Sequence, residues 1–154
     1  MAPERNPLLQ GRGGGQMIKE TIICYGHENV KATHRSTLEI TKEDYLTPRG
    51  DCIICIKATK SLKELSDELK EALKKGRKIK IRIIVDEIVD ELEAFGDERL
   101  SFESEVSMVI RKSDYVDGRT LAIRANKAAK DINRELVEKL KNPGQEVIVE
   151  IIVE

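Results

Sequence analysis

The feature that most limits how this chain can fold is that it matches itself. At a displacement of 70 residues Tyr25 meets Phe95, Gly26 meets Gly96, Glu28 meets Glu98, Lys42 meets Lys112, Asp44 meets Asp114 and Tyr45 meets Tyr115. Apolar positions agree at the same displacement, as in Ile18 with Ile88, Ile22 with Leu92, Leu38 with Met108 and Ile40 with Ile110. After a deletion in the second copy the displacement falls to 67, pairing Ile56 with Ile123, Ala58 with Ala125, Lys60 with Lys127, Leu69 with Leu136 and Leu73 with Leu140. Near the ends a displacement of 68 brings Gly76 to Gly144 and residues 79–85 to 147–153. Several identities at one displacement argue for an internal duplication.

The expected units are residues 17–87 and 88–154. A unit of this size with one helix buries little by itself, whereas two related by a pseudo-two-fold can share a core. At 154 residues one compact domain is expected, not two. Residues 1–16, MAPERNPLLQGRGGGQ, show neither strand nor helix period and read as a disordered tail or a start extension before Met17.

Each unit can be read once and checked twice. Val30, Ala32, His34, Ser36, Leu38 and Ile40 alternate with polar residues, the period of a strand with one face inward, and Leu100 to Ile110 repeats it. Residues before Gly26 and Gly96 form an opening strand, Cys52–Ile56 a short apolar one and Ile79–Val85 an alternating one. Between the last two lies a helix, capped by Ser61 with Glu64 reaching back, striped by Leu62, Leu65, Leu69, Ala72 and Leu73 and stopped at Gly76. The second helix uses Ala129, Ile132, Leu136, Val137 and Leu140. Each unit is therefore β-β-β-α-β. The fold expected is α+β and mainly β, a pseudo-two-fold, sandwich-like domain with two covering helices.

Composition excludes some partners. A net charge of −1 gives no global reason to expect nucleic acid or an anionic membrane. No apolar stretch approaches a membrane span and the start lacks a secretory core, so a cytoplasmic protein is expected. The 36% charged and 3% aromatic content resembles the Lys/Glu-rich surfaces of thermophilic proteins. Three cysteines, Cys24, Cys52 and Cys55, form an odd set in a chain without an export signal and are expected to be reduced.

Chemical side chains present in one copy only mark where a site would sit. His27 in the turn Gly26-His27-Glu28-Asn29 could act as base or ligand, or be an inert turn residue; His34 could reach a pocket or be a hydrogen-bonded core histidine. The loop 46–51 is longer than its counterpart Val116-Asp117-Gly118, and its Arg49 and Asp51 could clamp an anion or simply form a turn. Cys52 borders that loop as a nucleophile candidate without a specified base, and a metal held by Cys52 and Cys55 is not expected, because residues three apart on a strand face opposite sides and no second pair follows. If the first two strands pair as a hairpin, the His27 turn and the Arg49 loop lie roughly 35 Å apart at about 3.3 Å per residue. A composite site would then join one unit's turn to the other's loop: His27, Glu28 and Asn29 with Asp117 and Arg119, or Arg49 and Asp51 with Asp97 and Arg99. No phosphate loop, dinucleotide fingerprint, serine elbow or metalloprotease helix occurs, so no cofactor is implied.

The stretch GHENVKATHRSTLEITKEDYLTPRGDCIICIKA resembles the signature of a small archaeal family catalogued as a domain of unknown function, with the likeness running from about Met17 to the end. The resemblance implies an archaeal, mainly β, sandwich-like protein and brings no activity, substrate or catalytic residue. The leading expectation is a binding or interaction module, for a small anionic ligand or a protein partner, able to homo-oligomerise through an exposed sheet edge or an apolar strand face. The alternatives are an enzyme acting on an anionic or phosphorylated metabolite, and an RNA-binding protein using Lys74, Lys75, Arg77, Lys78, Lys80 and Arg82. Near-zero net charge, the acidic matches Glu146 and Glu150 and the scarcity of stacking aromatics count against RNA.

Overall fold

A computed structural model describes residues 17–154; the expectation for residues 1–16 lies outside them. The elements run β1 (Ile18–Tyr25), β2 (Thr37–Thr41), β3 (Ile53–Cys55), α1 (Asp67–Lys74), β4 (Lys78–Val85), β5 (Ile88–Phe95), β6 (Ser107–Arg111), β7 (Thr120–Ala122), α2 (Arg134–Leu140) and β8 (Glu146–Val153). The fold is α+β and mainly β. One four-stranded sheet has the order β1-β8-β4-β5 and the other β3-β2-β6-β7. Alternating strands such as β4, with Ile79, Ile81, Ile83 and Val85 buried, turn one face inward, and the apolar residues of both sheets and both helices form a single core.

The pairing scheme repeats between halves. The antiparallel ladder of β2 and β6 sets Thr37 against Arg111 and Thr41 against Ser107, so the displacement of 70 carries each of these pairs onto the other. The parallel pairing of Glu39 with Ile53 and Ile40 with Cys55 recurs as Val109 with Thr120 and Ile110 with Ala122, and the bridge Tyr25–Ile56 recurs as Phe95–Ile123. The repetition is one of architecture; a common origin of the halves is a proposal that it supports.

Three expectations are corrected. The eleven-residue strand from Val30 to Ile40 is regular only over Thr37–Thr41, and Ala32 takes a left-handed φ of 50°, which breaks the run; Phe102 does the same at 54° in the second half. β1 and β2 do not form a hairpin, since they belong to different sheets. Ser61 and Glu64 do interact, with the Glu64 carboxylate accepting from the Ser61 N–H (2.9 Å) and hydroxyl (3.2 Å), but they frame a 3-10 turn over Leu62–Glu64. The α-helix itself starts later, where the Ser66 side chain accepts from the Leu69 N–H.

A fourth correction concerns the thiols. Cys24 and Cys55 form a disulfide between β1 and β3, while Cys52 is free. The Tyr25–Ile56 bridge joins the two sheets one residue away and places the Cα atoms 5.7 Å apart, well within disulfide reach. In the second half the matching positions are Ala94 and Ala122, both fully buried.

Each helix is tied to an edge strand by a carboxylate. Glu20 on β1 accepts from Lys60 (2.6 Å) and the Ser66 N–H (3.1 Å); Asp90 on β5 accepts from Lys127 (2.5 Å) and the Asn133 N–H (2.7 Å). Burial pushes the Glu20 carboxyl up, but the Lys60 ammonium and the Ser66 N–H and hydroxyl outweigh it and hold it below its ordinary value. A depressed folded pKa gives stability that is present above the unfolded value of about 4.3 and lost as pH falls through the folded one. Melting temperature is therefore expected to drop below about pH 4, and to drop less steeply in Glu20→Gln. Parallel pH–melting curves for the two proteins would show that this carboxylate is not linked to folding.

Candidate functional site

Residues 26–36 run beside the 46–51 loop, so the two candidate regions meet within one half. The Thr33 and His34 N–H groups donate to the Asp51 carbonyl (2.9 and 3.1 Å), and the Asn29 amide donates to the Leu46 carbonyl (2.6 Å). The separation of roughly 35 Å expected from a hairpin does not arise because the hairpin is not there. The partners imagined for composite sites are engaged otherwise: Asp117 accepts from Arg111 (3.0 Å) and Thr120 (3.0 Å), Arg119 lies 3.9 Å from Glu39, and Asp97 is held by Arg99 (2.8 Å).

Both histidines perform local work that other residue types perform in the second half. His27 Nδ1 accepts from the Asn29 N–H at 2.9 Å, as Asp97 Oδ1 accepts from the Arg99 N–H at 2.8 Å. His34 Nδ1 accepts from the Ser36 and Thr37 N–H groups (3.2 and 3.1 Å), as Ser104 Oγ accepts from Val106 and Ser107 (3.2 and 2.9 Å). Each is a side-chain-to-backbone turn. With Nδ1 an acceptor, the ring proton sits on Nε2, which becomes the nitrogen able to donate to a ligand.

Cys52 is half-buried and donates to Glu39 Oε1 at 3.4 Å. Burial, followed by the Glu39 charge, pushes its thiol up to about 12, so the nucleophilic thiolate is suppressed at neutral pH. Arg49 is exposed in the loop, and Asp51 offers its carbonyl to the backbone described above. Among the described residues no group of three or more His, Cys, Asp and Glu side chains is placed to hold a metal ion.

The site that geometry does build lies at the His27 turn. A cavity of about 320 Å³ is lined by Tyr25, Gly26, His27, Asp44, Ile56, Lys57, Pro143 and Gly144. The first six come from the first half and the last two from the segment after α2. Gly26 and His27 donate backbone N–H groups to the Gln145 and Leu140 carbonyls (2.8 and 2.9 Å), which fixes the turn against that segment. Tyr25 and Ile56 follow the two disulfide cysteines in sequence, so the cross-link braces the cavity wall. Among the described residues neither Lys57 nor Asp44 forms an ion pair, although both line the same space.

In the second half the matching side chains engage one another. Arg124, which matches Lys57, carries its guanidinium 5.1 Å from the Phe95 ring centroid, and Phe95 matches Tyr25. Asp97, matching His27, pairs with Arg99, which also donates to the Asp114 carbonyl (2.9 Å). Lys57 and Arg124 share a left-handed backbone, φ 55° and 51°, so the difference lies in the side chains.

Residues 22–154 match the profile of a family described as a domain of unknown function, DUF371. The chain belongs to this DUF371 family. An uncharacterised protein of the archaeon Methanocaldococcus jannaschii is 56% identical over 132 residues, covering 86% of this chain and 97% of that protein. The matched DUF371 region holds every residue that lines the cavity.

Of the residues that line this cavity, His27 is among the candidates read from the sequence, and Tyr25, Asp44, Lys57, Pro143 and Gly144 are not. Lys57 against Arg124 and Tyr25 against Phe95 are conservative exchanges that pass as architecture, yet Arg124 lies over Phe95 while Lys57 has no ion pair among the described residues.

Proposed function

We propose that this protein is a small-molecule-binding module whose ligand enters the cavity between the Tyr25–His27 turn, Lys57 and Pro143–Gly144. The observation that carries the reading is the contrast between halves. Where Arg124 stacks on Phe95 and Arg99 neutralises Asp97, the first half presents a lysine without an ion pair among the described residues, a histidine with Nε2 available and the acidic residue Asp44 beside about 320 Å³ of space. That volume is at the small end of ligand sites, about 300–1,000 Å³, and its mixture of apolar wall and few polar groups is characteristic of them.

The alternatives draw less support. A nucleophilic enzyme centred on Cys52 would work against its raised thiol pKa. The basic face considered for RNA is met by acids: Lys78 by Glu93 (3.2 Å), Lys80 by Glu154 (3.9 Å), and Arg82 by Glu91 (3.0 Å) and Glu150 (3.4 Å). Glu91 sits off the Arg82 N–H axis, so the buried Nε gains an ionic neighbour without a hydrogen bond. Among the described residues no helix is long and apolar enough to cross a membrane.

Ligand binding stabilises by mass action, about 2.7 kcal/mol at a hundredfold excess over Kd. A thermal-shift screen of metabolites on the whole chain is expected to give hits that Lys57→Ala removes without lowering its own unliganded melting temperature. Hits that survive in Lys57→Ala, or none across a broad panel, would discard the cavity as the site.

A further inference from the structure

We infer that the cavity takes a planar aromatic anion, its ring laid on Tyr25 and its charged group facing Lys57 and His27; this rests on the binding role proposed above. The second half shows what suits the space over the matching ring. There a planar group, the Arg124 guanidinium, lies over Phe95. Position 57 has the same backbone conformation but carries an ammonium, a compact charge with no flat face to lay on a ring. The cation–ring contacts among the described residues involve Arg111 and Arg124, and Lys57 makes none. Among the described residues no cation lies over the Tyr25 ring, Tyr25 lines the cavity, and Ile56 and Pro143 on the same lining add apolar groups suited to a ring's edge.

Charge then selects among planar molecules. The Lys57 ammonium and the His27 Nε2–H are donors without acceptors among the described residues, so a carboxylate or phosphate completes them. Asp44, exposed on the same lining, would repel a second negative group and can accept from a ring N–H or hydroxyl. A cavity of about 320 Å³ admits one ring or two fused rings and excludes larger cofactors. The ligand class is therefore a small, singly charged aromatic acid with a hydrogen-bond donor on its far side.

The test titrates the isotopically labelled full chain with 2-naphthoate, its neutral amide, its cationic amidine and the aliphatic cyclohexanecarboxylate, following backbone amide resonances. Naphthoate is expected to move Tyr25, Gly26, Lys57 and Gly144, with the amide and the aliphatic acid at least tenfold weaker. Lys57→Arg is expected to abolish naphthoate binding although it keeps the charge, because arginine can fold over Tyr25 as Arg124 does over Phe95. Arg124 also shows that this backbone position accepts arginine. An amidine or aliphatic acid binding as tightly as naphthoate, or undiminished binding in Lys57→Arg, would overturn the ligand class while leaving the cavity a site. If no probe moves those resonances, the binding role of the cavity falls with it.

Discussion

Gly96→Ala is expected to be among the most damaging single substitutions in the molecule, lowering stability by on the order of 4 kcal/mol. A Cβ at this position would run into the backbone carbonyl of Leu73 at the end of α1, and Gly26 stands in the same relation to the Leu140 carbonyl at the end of α2. Neither side can yield cheaply. Gly96 donates its N–H to the Arg77 carbonyl at 2.9 Å, one residue beyond the Phe95–Lys78 rung of the ladder, so moving either chain strains both the helix end and the sheet. Gly144→Ala is the natural comparison. Unlike Gly96, Gly144 sits at positive φ, 81°, and nothing lies within 4 Å of the added carbon, so only the left-handed backbone cost of about 1–2 kcal/mol applies. Urea unfolding of the two variants separates close approach from conformational freedom. Equal losses would mean that the helix–turn contact is not what requires glycine at position 96.

Replacing both Cys24 and Cys55 by alanine is expected to leave the fold intact and lower its stability by about 3.5 kcal/mol, or roughly 10 °C in Tm. The cross-link closes a loop of 31 residues between two sheets, and most of its effect lies in restricting the unfolded chain. The second half supplies the reason to expect a folded variant, since Ala94 and Ala122 fill the matching positions with no exposure. Alanines there leave less side-chain volume but create no buried polar group. Chemical unfolding of the wild type with and without a dithiol gives the check: the reduced wild type should approach the double variant. A variant as stable as the oxidised wild type would show that the disulfide contributes nothing beyond local packing.

The order of elements was legible because it rests on periodicity. Ile79, Ile81, Ile83 and Val85 predict β4, and the stripe through Leu69 and Leu73 predicts α1. Length was not legible where backbone conformation overrides pattern: Val30, Ala32 and His34 alternate like a strand, yet Ala32 turns left-handed and the segment leaves the sheet. The disulfide was hidden because its two cysteines meet across sheets, through a bridge that no local pattern announces. The histidines illustrate the limit of comparing halves by residue type. His27 and Asp97 look like gain or loss of chemistry, but both tie down the same turn, whereas the quieter exchange of Arg124 for Lys57 changes what lies over the matching ring.

The position of β8 has a consequence for how the chain is made. It is the last strand in the sequence, yet it lies inside its sheet, paired on one side with β1 and on the other with β4. During synthesis both of those strands must wait, each with a row of unpaired backbone groups, until residues 146–153 have emerged. Loss of that segment would therefore remove the middle of the sheet and not fray its border, and the sheet cannot close until these eight residues have joined it.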